Sequence, residues 1–515
     1  MSTPGEPDHG AVAPATAGAL VFGASAAVLV VEIAALRLLA PYLGLTLETS
    51  TLVIGIALAA IATGAWAGGR AADVVPPRRV LGPLLGVSGV AVAALPFVVR
   101  GAGEAAGAAG ALLVAMLAIL VPGALLSAVP PMVTKLRLTD LAETGTVVGR
   151  LSGIGALGAI AGTVLTGFVF LAALPVSSVL VGVGVLLVLA GAAVELRVGG
   201  RRSAVLPVIL LVPAGLGAAF GPGRCDVETV YHCADVRTDP QRDTGRLLVL
   251  DGLHHSYVDL ADPTHLEFRY VRALASVTDA TFPPGRALTA YHLGGGGLTF
   301  PRHLAATRPG TTSLVSEIDR GVLGLDVERL GLVTGPALEV RVEDARLGLR
   351  RVATDGHDLV VGDAFGGVSV PWHLATREAL LDVRRVVRPD GVYAANLIDH
   401  APLGFARAEL ATMREVFEHV AVAADPATLE RAAGSGGNLV ALGSDAPLDL
   451  AALTAGFAAR DLAWEVIEGE DLDRWVGDAS VLTDDHAPVD QLLTPYRAAD
   501  AATGRSPGPA GGGAP

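Results

Sequence analysis

The segment YHLGGGGLTF, residues 291–300, places Gly294, Gly295, Gly296 and Gly297 at the end of an apolar run. Glycine adopts positive φ without strain and lets a backbone approach another group closely, which suits a turn around a nucleotide-like molecule. Three acids follow in similar settings: Glu317 in TTSLVSEID, Asp344 (with Ala345 after it) in ALEVRVEDA, and Asp363 in HDLVVGDAF. Each closes a short apolar run. Glu317 comes 23 residues after Gly294, where an acid is placed to accept hydrogen bonds from two ribose hydroxyls. A dinucleotide fingerprint, G-x-G-x-x-G, would need glycine where the chain has Thr299, so the signature of a pyrophosphate helix is missing.

These residues need a scaffold, and the surrounding chain supplies one. ALTAYHLG, TTSLVSEID, ALEVRVEDA, HDLVVGDAF and GVYAANLID read as strands. Between them, LTFPRHLAAT, RGVLGLDVERLGL and WHLATREALLDVRRVV read as helices, with Pro301 tolerated in a first turn. Alternating strands and helices imply a parallel sheet in an α/β fold. Ligands of such sheets sit beyond the carboxyl ends of the strands, where the glycines and the three acids fall. A linker reading of the glycines fails because they lie between a strand and a helix. Taken together they mark an S-adenosyl nucleoside site.

The first part of the chain is of another kind. Of 515 residues, 51% are hydrophobic. Residues 1–221 carry 11 Lys+Arg and 9 Asp+Glu, against 26 and 42 in the remainder. An almost uncharged half is therefore joined to an acidic globular half. Acidity excludes a nucleic-acid partner, because a phosphate backbone calls for a basic surface. Apolar stretches near 17–41, 48–69, 79–99, 108–134, 150–173, 175–195 and 204–221 are each about long enough to span a bilayer. The spacing GIGALGAIAG at 153–162 suits close packing of helices in lipid. Arg70, Arg78, Arg79, Lys135, Arg137, Arg150, Arg197, Arg201 and Arg202 fall on one side of these spans, and only Arg37, Arg100 and Arg224 on the other. Retention of positive charge inside the cell puts the N-terminus inside and, after seven spans, the acidic half outside. Cys225 and Cys233, the only cysteines, lie just past the last span and read equally as a disulfide or as two free thiols. Within the first span, Glu32 and Arg37 are intramembrane charges that call for a function or a structural partner.

The motifs of the acidic half come in a familiar order. LLVLDGLHHSYVDLADPTHLEFRYVR, LGGGGLTFPR, SEID, VEDARLGL and VVGDAFGG resemble, over about 225–495, the spermidine synthase (polyamine aminopropyltransferase) family, and the apolar spans resemble its membrane-fused branch. The resemblance implies transfer of an aminopropyl group from decarboxylated S-adenosylmethionine, a cosubstrate and not a tightly bound cofactor, to a diamine such as putrescine. It implies that Gly294, Gly295, Gly296, Glu317, Asp344 and Ala345 hold the adenosyl group, with Glu317 on the ribose and Asp344 on the adenine amino group. Asp363 would accept the attacking amine's proton and, with His255, contact the substrate. No metal ligand set is present.

The expected architecture is a flexible N-terminus (1–16), an all-α transmembrane bundle of about seven spans (17–221), a small β-rich part (225–286), a Rossmann-like domain of S-adenosylmethionine methyltransferase type (287–495) and a disordered tail (496–515). Expected partners are the lipid bilayer and a small amine, with homodimerisation left open. The chain departs from the family at three points. Gly297 and Gly366 stand where the family has carboxylates, and His255 where it has glutamine. Loss of those charges keeps two other functions open: a methyltransferase or transferase for another acceptor, and a non-catalytic transporter or sensor. His373, before a helix, reads as structural.

Overall fold

A computed structural model describes residues 13–43, 47–105, 107–138, 140–198 and 225–494. They form two compact units, Met1–Arg224 and Cys225–Pro515.

The described residues of the N-terminal unit are helical: α1 (Pro14–Leu43), α2 (Leu47–Val74), α3 (Pro77–Ala105), α4 (Gly107–Ser127), α5 (Val129–Arg137), α6 (Thr144–Leu165) and α7 (Val176–Val198). Six segments are long and apolar enough to cross a membrane: Pro14–Leu39, Thr49–Val74, Pro77–Gly101, Met116–Arg137, Thr144–Phe170 and Val176–Leu196. The sequence count of seven is thus six among the described residues. The seventh stretch, 204–221, lies outside them, as does the tail expected at 496–515. The first helix starts at Pro14, slightly before the expected 17. Glycines let the helices touch backbone to backbone. A Cβ on Gly158 would lie 2.3 Å from the Phe22 carbonyl oxygen, and one on Gly162 2.4 Å from that of Ala26, so α1 and α6 pack as the GIGALGAIAG spacing predicts. Glu32 and Arg37 lie on different faces of α1, as five residues at 3.6 per turn require.

The C-terminal unit opens with an antiparallel sheet of β1 (Val227–Glu228), β2 (Cys233–Asp239), β3 (Arg242–Leu250) and β4 (Leu253–Asp259), in that order. A disulfide joins Cys225 to Cys233 at the start of this sheet. Next comes α8 (Arg269–Thr281), whose residues Val271, Leu274 and Val277 pack with Leu288, Leu359 and Val440 of the main core. This helix belongs to the large domain, so the small β-rich part ends before the expected residue 286.

The main sheet has eight strands: β5 (Thr289–Leu293), β6 (Thr312–Glu317), β7 (Leu338–Val342), β8 (His357–Gly362), β9 (Val387–His400), β10 (His419–Ala424), β11 (Gly436–Ser444) and β12 (Glu465–Glu468). Their order is β12-β10-β11-β9-β8-β5-β6-β7. The strands β5 to β9 pair in parallel. Strand β11 runs antiparallel between β9 and β10, the arrangement of methyltransferase-type sheets. The connecting helices are α9 (Thr299–Thr307), α10 (Arg320–Arg329), α11 (Ala345–Leu349), α12 (Arg377–Val386) and α13 (Gly404–Arg414). One sheet face is covered by α8 with Phe457 and Trp464, and the other by Leu380 and Val383 of α12 and Phe405 and Met413 of α13. Burial on both faces explains why the central strands β5, β8, β10 and β11 read as nearly continuous apolar runs.

Candidate active site

Strand order reverses between β5 and β8, the place where sheets of this kind open a ligand crevice beyond their carboxyl ends. The glycine turn forms one wall. Gly294 has φ +93°, and a Cβ there would sit 2.3 Å from the Asp363 carbonyl oxygen. Only glycine allows the ends of β5 and β8 to come this close. Gly296 also has positive φ, +47°.

The turn is held from the next strand. Glu317, at the end of β6 and 8% exposed, accepts hydrogen bonds from the amides of Gly295 (2.8 Å) and Gly296 (3.3 Å) through Oε2, and from the amide of Asp319 (2.8 Å) through Oε1. Burial pushes its carboxyl up while these three amides pull it down. Behind it, Asp326 of α10 is fully buried. Desolvation and the nearby Glu317 charge push its carboxyl up to about 8.

Asp344 follows β7 and caps α11 by accepting from the Leu347 amide at 3.1 Å. Its other oxygen meets His373 Nε2 at 3.0 Å, so His373 holds a residue of the expected adenosyl site. Ala345 is buried in the first turn of α11. The Glu343 amide donates to the Glu317 carbonyl at 3.0 Å, joining the ends of β6 and β7.

Asp363 follows β8 and is the chemical centre of the crevice. Its Oδ2 accepts from the Tyr270 hydroxyl of α8 at 3.1 Å and its Oδ1 from Asn396 Nδ2 of β9 at 2.8 Å. Desolvation pushes the carboxyl up to about 6, against the pull of these two donors. Tyr270, buried against this charge, is held well above the ordinary phenol range. A carboxylate with a raised pKa and fixed oxygens is suited to accept a proton near neutral pH.

The fourth glycine is a different matter. Gly297 is buried, its amide donates to Ser256 Oγ of β4 at 3.0 Å, and a Cβ on it would lie 2.9 Å from Ser256 Cβ and 3.0 Å from Val258 Cγ2. The small sheet is packed against this turn, so the carboxylate that the family would carry here has no room. Gly366 is open by contrast: the nearest atom to a Cβ there is the Ser369 carbonyl oxygen at 4.0 Å. His255 precedes Ser256 on β4. Its ring lies 6.1 Å from that of His232, which is hydrogen bonded to Asp251 at 2.9 Å. Burial pushes His255 down to about 4, so it is neutral at physiological pH and offers hydrogen bonds without charge. Its described contacts are with this cluster and not with Asp363.

The structure thus brings the glycines, Glu317 and Asp363 together and sets Asp344 and Ala345 at the next strand end. Sequence reasoning missed Tyr270, Asn396 and Ser256. Asn396 left a faint signal as the polar residue within the apolar run GVYAANLI. Among the described residues no group of three or more His, Cys, Asp or Glu is arranged for a metal ion.

No family model matches the chain. A polyamine aminopropyltransferase of Vibrio vulnificus is 31% identical over 158 residues, covering 29% of this chain and 49% of the relative. The chain therefore spans about half the length of that curated relative. A probable spermidine synthase from Corynebacterium glutamicum matches in structure with TM-score 0.48 and 29% identity, over 51% of this chain and 97% of that one. A spermidine synthase in complex with the transition-state analogue AdoDATO matches with TM-score 0.34 and 17% identity, over 53% of this chain and 85% of that one. Set beside the ordered motifs of the C-terminal half, the curated relative points to the spermidine synthase (polyamine aminopropyltransferase) family.

Proposed function

We propose that the chain is a membrane-bound aminopropyltransferase that moves the aminopropyl group of decarboxylated S-adenosylmethionine to an amine such as putrescine. The observation that carries this reading is Asp363: a carboxyl raised to about 6, held by Tyr270 and Asn396 beside a glycine turn shaped for an adenosyl group. In the proposed step the amine lone pair attacks the methylene carbon next to the sulfonium. The carbon–sulfur bond breaks, methylthioadenosine leaves as a neutral thioether, and Asp363 takes the proton that the amine must lose. Glu317 keeps the turn in shape through its three amide contacts, and its remaining lone pairs face the ribose. Asp344, fixed by His373, faces the adenine amino group. The test is formation of methylthioadenosine by the purified full-length protein from decarboxylated S-adenosylmethionine and putrescine. Its loss in Asp363→Asn supports the assignment, and unchanged turnover in that variant rejects it.

The crowding around Gly297 favours a second reading, in which the donor site is kept and the acceptor is not a diamine, or the transferred group is a methyl. A calorimetric comparison of S-adenosylmethionine with its decarboxylated form separates methyl from aminopropyl transfer, and the methylthioadenosine assay with putrescine against other amines separates the acceptors. For placement, the Cys225–Cys233 disulfide supports an extracytoplasmic C-terminal unit, whereas the charge bias, which puts the N-terminus inside, leads there only if 204–221 adds a seventh span to the six described ones. That side is cut off from donor made in the cytoplasm, so a topology reporter fused to the C-terminus bears on the donor as well as on the orientation.

A further inference from the structure

Asn396 reaches in two directions. Its Nδ2 donates to Asp363 Oδ1 at 2.8 Å, and its Oδ1 accepts from Asn438 Nδ2 at 2.9 Å. Asn396 is 3% exposed, on β9, and Asn438 is partly exposed near the start of β11, the antiparallel neighbour of β9. An amide has one donor end and one acceptor end, and the two are nearly the same shape. Which end of Asn396 faces Asp363 is therefore a matter of hydrogen bonding and not of packing. An ionised Asp363 only accepts and so calls for the Asn396 NH2, and the Asn438 NH2 at the far end engages the Asn396 oxygen and holds the amide in that same sense when Asp363 takes a proton.

We propose that Asn438 is a positioning residue that acts through Asn396, fixing the polarity of the amide facing Asp363 and so keeping that carboxylate ready to accept a proton. The inference rests on the reading of Asp363 as the proton acceptor. The groups around the carboxylate are few. α8 presents Tyr270, β9 presents Asn396, and β5 presents the backbone of Leu293 and Gly294. Tyr270 is the titratable side chain among them, and it stays protonated throughout the relevant range.

Two variants test it, Asn438→Asp, whose added charge by itself also disfavours the Asp363 carboxylate, and the uncharged Asn438→Leu. A carboxylate of the same shape accepts from Asn396 Nδ2, so it turns the Asn396 oxygen toward Asp363. The Asp363 carboxylate then loses a donor and faces a dipole of the wrong sign, which disfavours its charged form. The acid limb of kcat/KM against pH should move up by about one pH unit or more. Asn438→Leu, which removes the demand without adding charge, carries the test: the limb should move up, by less than in Asn438→Asp. Asn438→Gln, if it reaches Asn396, should return it to the wild-type position. A purely structural role for Asn438 would lower kcat or stability in all three variants and leave the limb in place, which would overturn the proposal.

Infrared difference titration of the full-length protein, wild type against Asp363→Asn, reads the same carboxyl without turnover. If the protein transfers nothing to any amine yet the carboxyl shifts upward in Asn438→Leu, the transferase reading has failed and the relay stands. If the carboxyl titrates identically in wild type and Asn438→Leu, the relay is wrong whatever the activity.

Discussion

The tight packing at Gly297 and the open space at Gly366 make one comparison sharp. In Gly297→Asp, the new Cβ would lie 2.9 Å from Ser256 Cβ and 3.0 Å from Val258 Cγ2, whereas carbons in contact prefer about 3.5–4.0 Å. Two overlaps of about half an ångström or more must be relieved by moving β4 away from the turn, and overpacking of this kind costs about 1–3 kcal/mol. A carboxylate buried there without a partner adds further cost, on the order of 1–3 kcal/mol even after relaxation. At roughly 2–4 °C per kcal/mol for a unit of this size, the melting temperature should fall by about 4–24 °C. In Gly366→Asp nothing but the Ser369 carbonyl oxygen comes as near as 4.0 Å, and φ there is not positive, so stability should change by no more than about 0.5 kcal/mol. The assay is thermal unfolding of the full-length protein in detergent, followed by tryptophan fluorescence. Gly366→Asp also places a carboxylate three residues from Asp363, and for a diamine acceptor KM should fall about tenfold, the worth of one charge-assisted contact. Equal melting of Gly297→Asp and wild type would refute the packing argument. So would a Gly366→Asp variant that melts as low as Gly297→Asp.

Three further outcomes are expected. Asp363→Asn should lower turnover by about 100-fold or more, and in the wild type activity should rise through an acid limb near pH 6, because the carboxyl must be ionised to take a proton. The same variant should be more stable than wild type at pH 7–8. The folded-state pKa of Asp363 lies above its unfolded value, so its contribution is fully present below about pH 4 and is lost as pH rises through about 6. The difference, on the order of 1–3 kcal/mol, is read by denaturant unfolding at pH 4.5 and pH 7.5, and a variant less stable than wild type at pH 7.5 argues against it. Glu317→Gln keeps one acceptor oxygen but turns an NH2 toward amide donors at Gly295 or Asp319. It should cost about 1–3 kcal/mol and remove the thermal protection given by an adenosyl ligand.

What was legible in the sequence was what depends on local geometry. The glycine turn shows because positive φ at Gly294 and close approach at its Cα select one residue type. Glu317, Asp344 and Asp363 show because each ends an apolar run, and the parallel sheet follows from alternating patterns. What stayed hidden depends on contacts across long stretches of chain. Tyr270 meets Asp363 over 93 residues, and Asn438 meets Asn396 over 42. These pairs follow from the order of strands in the sheet, which periodicity does not encode. The antiparallel insertion of β11 was unreadable because a strand buried on both faces is equally apolar whichever way it runs. The capping role of Asp344 at α11 was hidden for a different reason: a five-residue helix has too few turns to show a period.

The strand order also divides the site along the chain. The residues proposed to hold the adenosyl group, 294–345, are complete once β7 and α11 have been made. The groups that orient Asp363 come from α8, β9 and finally β11, which must double back between β9 and β10 before Asn438 can meet Asn396. A polypeptide cut anywhere between β9 and β11 would keep every residue of the glycine wall and the carboxylate itself, yet leave the Asn396 amide free to turn either way. On the proposed reading, such a fragment retains the groups for holding a nucleoside and lacks the setting for moving a proton, so the end of the domain is where recognition would become competence for the reaction.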